Sequence, residues 1–289
     1  MSWRIVVISQ SAKLDYQMGY MVVRQMDVTR IHLNEIALLL IESTAVSITC
    51  ALMAELTKKK VKIIFCDEKR NPSAEVLPYY GSHDTSAKVR IQIEWEKEIK
   101  SLVWTEIVSE KIRKQMQFLK DLGRQEEASL LNSYIQEVEI GDATNREGHA
   151  AKVYFNAIFG KDFSRTQEIP LNAALNYGYG IILSMVNREI VSNGYITQVG
   201  LFHDNMFNAF NLGSDLMEPF RILIDRAVYA MQPDKFEHEE KMQVLSVLND
   251  EVKIDEKNNY VTNAVKIYCK SVFDAINEKD VSLIKFYQM

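Results

Sequence analysis

The chain has 289 residues, of which 47% are hydrophobic and 25% charged. This is an ordinary soluble profile, long enough to bury a large core as one long domain or two. A formal charge of −5 and a pI near 5.7 do not suggest nucleic acid as a partner. They leave DNA or RNA open, because the local patch rather than the total sets the potential a ligand meets.

The N-terminal MSWRIVVISQ lacks the basic start and apolar core of a secretory signal, and the longest apolar runs fall far short of a membrane span. Cys50, Cys66 and Cys269 are scattered and odd in number, with neither a zinc-type pair nor a disulfide framework. A reducing cytoplasm, with no membrane partner, is therefore expected.

Residues 1–80 read as strands with one helix. Arg4–Ile8 (RIVVI) and residues 20–23 (YMVV) are short β-branched runs, and residues 28–33 (VTRIHL) alternate with period two. Residues 35–41 (EIALLLI) are almost wholly apolar. Residues 47–59 read as a helix with Ile48, Leu52, Met53 and Leu56 on one stripe and lysines at its end, where the helix dipole favours cations. Lys62–Cys66 (KIIFC) reads as a buried strand. Residues 67–81 are rich in turn formers, contain two of the five prolines and mark a domain boundary.

Beyond residue 82 strand signals nearly vanish. Residues 89–122 carry helical periodicity through Val89, Ile93, Ile99, Val103, Ile107, Ile112, Met116 and Leu119, with Gly123 as a stop. Further helices are expected at 126–138, at 144–159 ended by Gly160, and at 171–191. A helix at 216–231 is kinked or delayed by Pro219. The tail, 241–286, reads as two helices split by a charged turn near 250–259. The expected fold is α+β: a small β-rich N-terminal domain (1–80) followed by a larger all-α-helical domain (81–289).

The residues that could carry chemistry lie in the second part. Glu147 opens a helix with Ala150, Ala151 and Tyr154 on its face. The ordinary alternative is a capping box, Thr144-Asn-Arg-Glu147, in which the glutamate only serves its own helix. His203 follows Gly200-Leu-Phe, and Asp215 and Glu218 are spaced i, i+3, one face of a helix if the segment is helical. Each has a bland reading as a buried histidine, a first-turn aspartate or a solvated glutamate. Together, imidazole and carboxylates are a donor set that suits a catalytic divalent metal. Arg146 and Arg221 flank the candidates and suit either phosphate contact or a structural ion pair.

The order and spacing of these segments are similar to those of a known family. Glu147-Gly-x-x-Ala-x-x-Tyr154-Phe155, Leu171-Asn-Ala-Ala-Leu-Asn-Tyr177-Gly-Tyr179-Gly, Gly200-x-x-His203 and Asp215-Leu-x-Glu218-Pro-x-Arg221-x-x-x-Asp225 resemble the integrase of CRISPR spacer acquisition, the universal, first-numbered CRISPR-associated protein. Local segments, including residues 31–36 and 66–72, look most like the type II-A branch.

The resemblance implies that Glu147, His203 and Glu218 bind a Mg²⁺ or Mn²⁺ ion and catalyse DNA transesterification or cleavage. Many relatives carry aspartate where Glu218 stands. Asp215 becomes a supporting acid near the metal, and Arg146 and Arg221 nucleic-acid contacts. The implied partners are double-stranded DNA (protospacer and CRISPR repeat), a second copy through the β domain, and a small CRISPR adaptation partner dimer. A type II accessory protein and RNA-guided effector nuclease complete the set. Two other readings stay open on the residues alone: a branched-DNA nuclease of DNA repair, and a non-catalytic DNA-binding scaffold.

Overall fold

A computed structural model describes residues 3–78 and 81–288. In chain order its first part comprises strands Arg4–Ile8 (β1), Ala12–Gln17 (β2), Tyr20–Arg24 (β3), Val28–His32 (β4), Ile36–Ile41 (β5) and Val46–Ile48 (β6). Helix Cys50–Lys58 (α1) and strands Lys62–Cys66 (β7) and Pro72–Glu75 (β8) follow. The first sheet has the order β1-β5-β7-β8, parallel except for β8 at its edge. The near-continuous apolar runs of β1, β5 and β7 are what a parallel sheet covered on both faces requires.

Strand alternation divides those runs between two cores. Leu38, Leu40, Ile64 and Cys66 join the core of the helical region. Their neighbours Leu39, Ile41 and Ile63 pack with Leu14, Met21, Leu52 and Leu56. A second sheet, β4-β3-β2-β6, covers that side; its hairpin strands are antiparallel, and β6 pairs parallel to β2.

Two local expectations shift here. The helix expected from residue 47 begins at Cys50, because β2 recruits Val46–Ile48 as a strand and the Thr49 side chain accepts the Leu52 N–H (3.4 Å) as cap. Residues 67–81 are not all turn. The Asp67 carboxylate accepts the N–H groups of Lys69 and Asn71, and the distant Lys241 ammonium donates to the Lys69 and Arg70 carbonyls. The chain so reversed adds β8 to the sheet edge, where a first-position proline is tolerated. The expected division between residues 80 and 81 adjoins residues 79–80, which lie outside the described residues.

The helical region contains Thr85–Ile93 (α2), Lys97–Asp121 (α3), Gln125–Gln136 (α4), Arg146–Phe159 (α5) and Pro170–Ser192 (α6). Asn211–Leu216 (α7), Arg221–Met231 (α8), His238–Ser246 (α9) and Val261–Glu278 (α10) complete it. The single helical period expected over 89–122 is broken at Glu94–Glu96. Gln92 is buried and exchanges hydrogen bonds with the backbone at Ile196 and Val199, and the Trp95 indole reaches Asn277. Both turn the chain before α3 starts. The charged stretch near 250–259 forms a hairpin, Glu251–Ile254 (β9) with Lys257–Tyr260 (β10). Among the described residues no helix is long and apolar enough to cross a membrane.

Helix α3 is the axis of this region and packs against α4, α5, α8 and α10. Most of its buried positions are aliphatic or aromatic, but Glu110, Lys111, Lys114 and Gln115 are buried as well. That polar stripe lies under the candidate site.

Candidate active site

Helix α5 delivers Glu147. Gly141, Asp142 and Asn145 all have positive φ (73°, 54° and 53°), a conformation that glycine, aspartate and asparagine tolerate best. The resulting curl turns the Asp142 carboxylate back onto the helix start, where it accepts the N–H of Arg146 (2.7 Å) and of Glu147 (3.1 Å). The capping box therefore does not form. Asp142 performs the capping, Thr144 reaches instead toward the Glu137 carbonyl (3.5 Å), and the Glu147 carboxylate is free to face a cleft.

His203 is set by Asp215. The Asp215 side chain is fully buried. It accepts the backbone N–H groups of Leu201 (2.6 Å), Phe202 (3.2 Å) and His203 (3.1 Å) and contacts His203 Nδ1 at 2.6 Å. Gly200 is required for this wrapping, since a β-carbon there would lie 2.7 Å from Asp215 Oδ2 and 2.4 Å from the His203 carbonyl oxygen. The ring also meets Trp104 of α3 edge-on (centroids 5.7 Å apart), while Phe202 stacks on the same tryptophan. The bond to Asp215 holds the His203 pKa above the ordinary value, outweighing its partial burial.

Asp215 and Glu218 do not share a helical face. Pro219 ends α7 and forces a short 3-10 turn over Glu218–Phe220 before α8. Asp215 thereby turns to the histidine loop and Glu218 to the cleft. The Tyr287 hydroxyl donates to the Pro219 carbonyl (2.9 Å), so the end of the chain anchors the turn that carries Glu218.

The cleft measures about 290 Å³ and is lined by Glu147, Glu218 and His203 together with Lys111, Gln115, Arg165, Tyr179, Arg221 and Asp225, among others. Lys111 Nζ pairs with Glu147 and lies 2.5 Å from Glu218 Oε2, and Arg221 Nη2 lies 2.9 Å from Glu218 Oε1. Burial opposes the ionisation of Glu218, but Arg221 and Lys111 outweigh it and keep its pKa below the usual carboxylate range. Burial likewise opposes the Lys111 ammonium, and Glu218 and Glu147 reverse that, raising its pKa. Asp225 is pushed up to about 6, chiefly by burial, while the Tyr179 hydroxyl donates to it.

Of the sequence candidates, Glu147, His203, Glu218 and Arg221 meet at this cleft, and Asp215 stands behind His203. Arg146 is not among the lining residues; it pairs with Glu137 (2.9 Å) and lies over the Tyr134 ring. Among the described residues no three His, Cys, Asp or Glu side chains are gathered closely enough to form a ready shell for a metal ion. The donor set nevertheless suits one: two carboxylates and an imidazole whose other nitrogen is held by a carboxylate. Gln115 Oε1 and Arg221 Nε are buried without a hydrogen-bond partner, as expected where a bound group completes a site.

Sequence reasoning missed Lys111, Gln115, Arg165 and Asp142. Lys111 and Gln115 are i, i+4 on a helix whose other spacings signal core, and nothing in the sequence separates such polar residues from an exposed face. Arg165 is held by Asn172 (2.7 Å) and Asn176 (2.5 Å) of α6, within the quoted Asn-Ala-Ala-Leu-Asn segment.

Residues 5–253 match the family described as CRISPR associated protein Cas1. The chain is 34% identical over 229 residues to the CRISPR-associated endonuclease Cas1 of Neisseria meningitidis serogroup C (strain 8013), covering 79% of this chain and 75% of that protein. Its fold is similar to that of a casposase bound to integration product (TM-score 0.76, 16% identity, 98% of this chain and 93% of the other). It is also similar to part of a longer chain in a Cas6-RT-Cas1–Cas2 complex (TM-score 0.74, 17% identity, 97% of this chain and 36% of the other).

Proposed function

The chain belongs to the Cas1 family, and from that membership and the cleft together we propose that it is an integrase of CRISPR adaptation. In this reading it joins the 3′-hydroxyl ends of short protospacer DNA to phosphodiesters of the CRISPR repeat, and cuts DNA when water attacks instead. The observation that carries the reading is the meeting of Glu147, Glu218 and His203 at one cleft from three separate elements, with His203 Nδ1 already held by Asp215.

Glu147, Glu218 and His203 Nε2 would hold a divalent ion, Mg²⁺ or Mn²⁺, since carboxylate oxygens suit both and imidazole suits the latter well. Bound there, the ion supplies Lewis-acid stabilisation of the charge that builds on a phosphodiester under attack. Asp215 keeps the proton of neutral His203 on Nδ1, so that Nε2 presents its lone pair to the cleft. Arg221 and Arg165 carry guanidinium groups to the same cleft, where they suit the oxygens of a phosphodiester. Arg146, committed to Glu137, serves the start of α5 instead.

The reading requires duplex DNA as substrate and a Cas2 dimer as partner. Self-association through the β-rich part accords with the exposed apolar side chains of Met18, Tyr20, Met26 and Val28 there. The test is strand transfer of a short duplex with free 3′ ends into a plasmid carrying the repeat, with the small partner protein present. Joining should need Mn²⁺ or Mg²⁺, fail with blocked 3′ ends and fall at least about 100-fold in His203→Ala. Joining that survives equally without metal or without His203 rejects this mechanism.

A further inference from the structure

We propose that Lys111 is the built-in counter-cation of the ligand pair, lodged between Glu147 and Glu218, and that a divalent ion binds by displacing its ammonium. The inference rests on the assignment of those two glutamates and His203 as ligands. It adds a residue of α3 that controls how readily the ion binds.

Three observations carry it. First, one ammonium contacts carboxylates from two other elements, Glu147 at the start of α5 and Glu218 on the turn before α8. Two carboxylates brought to one largely buried place repel unless a cation lies between them, so in the absence of metal this lysine keeps both in position. Second, the ammonium balances charge without completing coordination. Beside the pair, Gln115 Oε1 is buried and has no hydrogen-bond partner. A compact ion can use lone pairs that a tetrahedral ammonium leaves unused. Third, the other cation of the pair, Arg221, is committed to Glu218 Oε1, which leaves Oε2 to Lys111. A lysine, with its flexible four-carbon stem, can swing away from such a place; a planar, bidentate arginine would hold it more firmly.

Competition of this kind predicts that removing the charge tightens metal binding. Mn²⁺ binding to the intact protein, followed by the loss of the free-ion EPR signal, should become about tenfold tighter or more in Lys111→Met. Lys111→Arg, which retains a cation, should bind no more tightly than the wild type. The metal-free Lys111→Met protein should melt below the wild type and recover when Mn²⁺ is added. Should Lys111→Met fail to fold, the wild type decides: reductive methylation of Lys111, read by mass spectrometry, should accelerate several-fold when Mg²⁺ is added. Mn²⁺ affinity unchanged or weakened in folded Lys111→Met overturns the proposal, as does a methylation rate indifferent to bound metal. If Mn²⁺ binding is lost in His203→Ala but indifferent to Lys111→Met, only the role of Lys111 fails. If neither wild type nor Lys111→Met binds Mn²⁺, the metal reading fails with it.

Discussion

At the scale of single residues, the histidine and its aspartate decide how the site responds to pH. Asp215 raises the His203 pKa above its ordinary value near 6.5, and a protonated imidazole cannot ligate a metal. Divalent-ion affinity should therefore fall as pH drops through a value above 6.5, and the fall should move to lower pH in Asp215→Asn. Mn²⁺ titrations between pH 5.5 and 8.5 would check this, and an unmoved profile would count against Asp215 acting through His203. The sign for stability runs the other way. A pKa raised on folding stabilises the metal-free protein below the ordinary value, and that contribution is lost as pH rises through the folded one. Asp215 itself illustrates why its i, i+3 spacing to Glu218 misled: the spacing is a property of one continuous helix, and a proline interrupts it.

At the scale of elements, the site depends on how chain ends are tied. Helix α5 lacks a side-chain cap at Asn145, and Asp142 supplies it from three residues earlier. Asp142→Ala should cost roughly 0.5–2 kcal/mol, the usual range for losing an N-terminal cap, and loosen Glu147 with it. Thermal melting would read the first effect, and Mn²⁺ affinity, weakened a few-fold, the second. A variant that melts lower yet binds Mn²⁺ unchanged would separate the cap from the site. The glycines quoted in the motifs have comparable local reasons. Gly200 lets the backbone wrap Asp215, and Gly178 lets α6 approach α8, since a β-carbon there would lie 2.4 Å from Ile224 Cγ2.

At the scale of the whole molecule, the β1-β5-β7-β8 sheet belongs to two cores at once. Leu38 and Leu39 are adjacent, fully buried and on opposite faces. Each Leu→Ala substitution should cost about 2–5 kcal/mol. Because the sheet is shared, both variants should shift one common calorimetric transition. Two separable transitions, one moved by each variant, would mean that the β-rich part and the helices unfold independently. The acidic runs of 234–240 and 249–257 contribute none of the cleft's lining residues, and there Lys111, Arg165 and Arg221 face Glu147, Glu218 and Asp225, so the cleft does not share the chain's acidic excess.

The sequence by itself determined the division into a β-rich beginning and a helical remainder, most helix positions, and the family. These follow from hydrophobic period, turn chemistry and motif spacing, all of which are local along the chain. It named Glu147, His203, Glu218 and Arg221 because their motifs are short, contiguous stretches. What only the tertiary structure decided is non-local: that Asp142 rather than Thr144 caps α5, that Pro72–Glu75 becomes a strand once Lys241 holds its turn, and that Lys111 stands between the two glutamates. Each depends on groups far apart in the chain, and a lysine on a buried helix face has no sequence signature until the carboxylates that hold it there are folded against it.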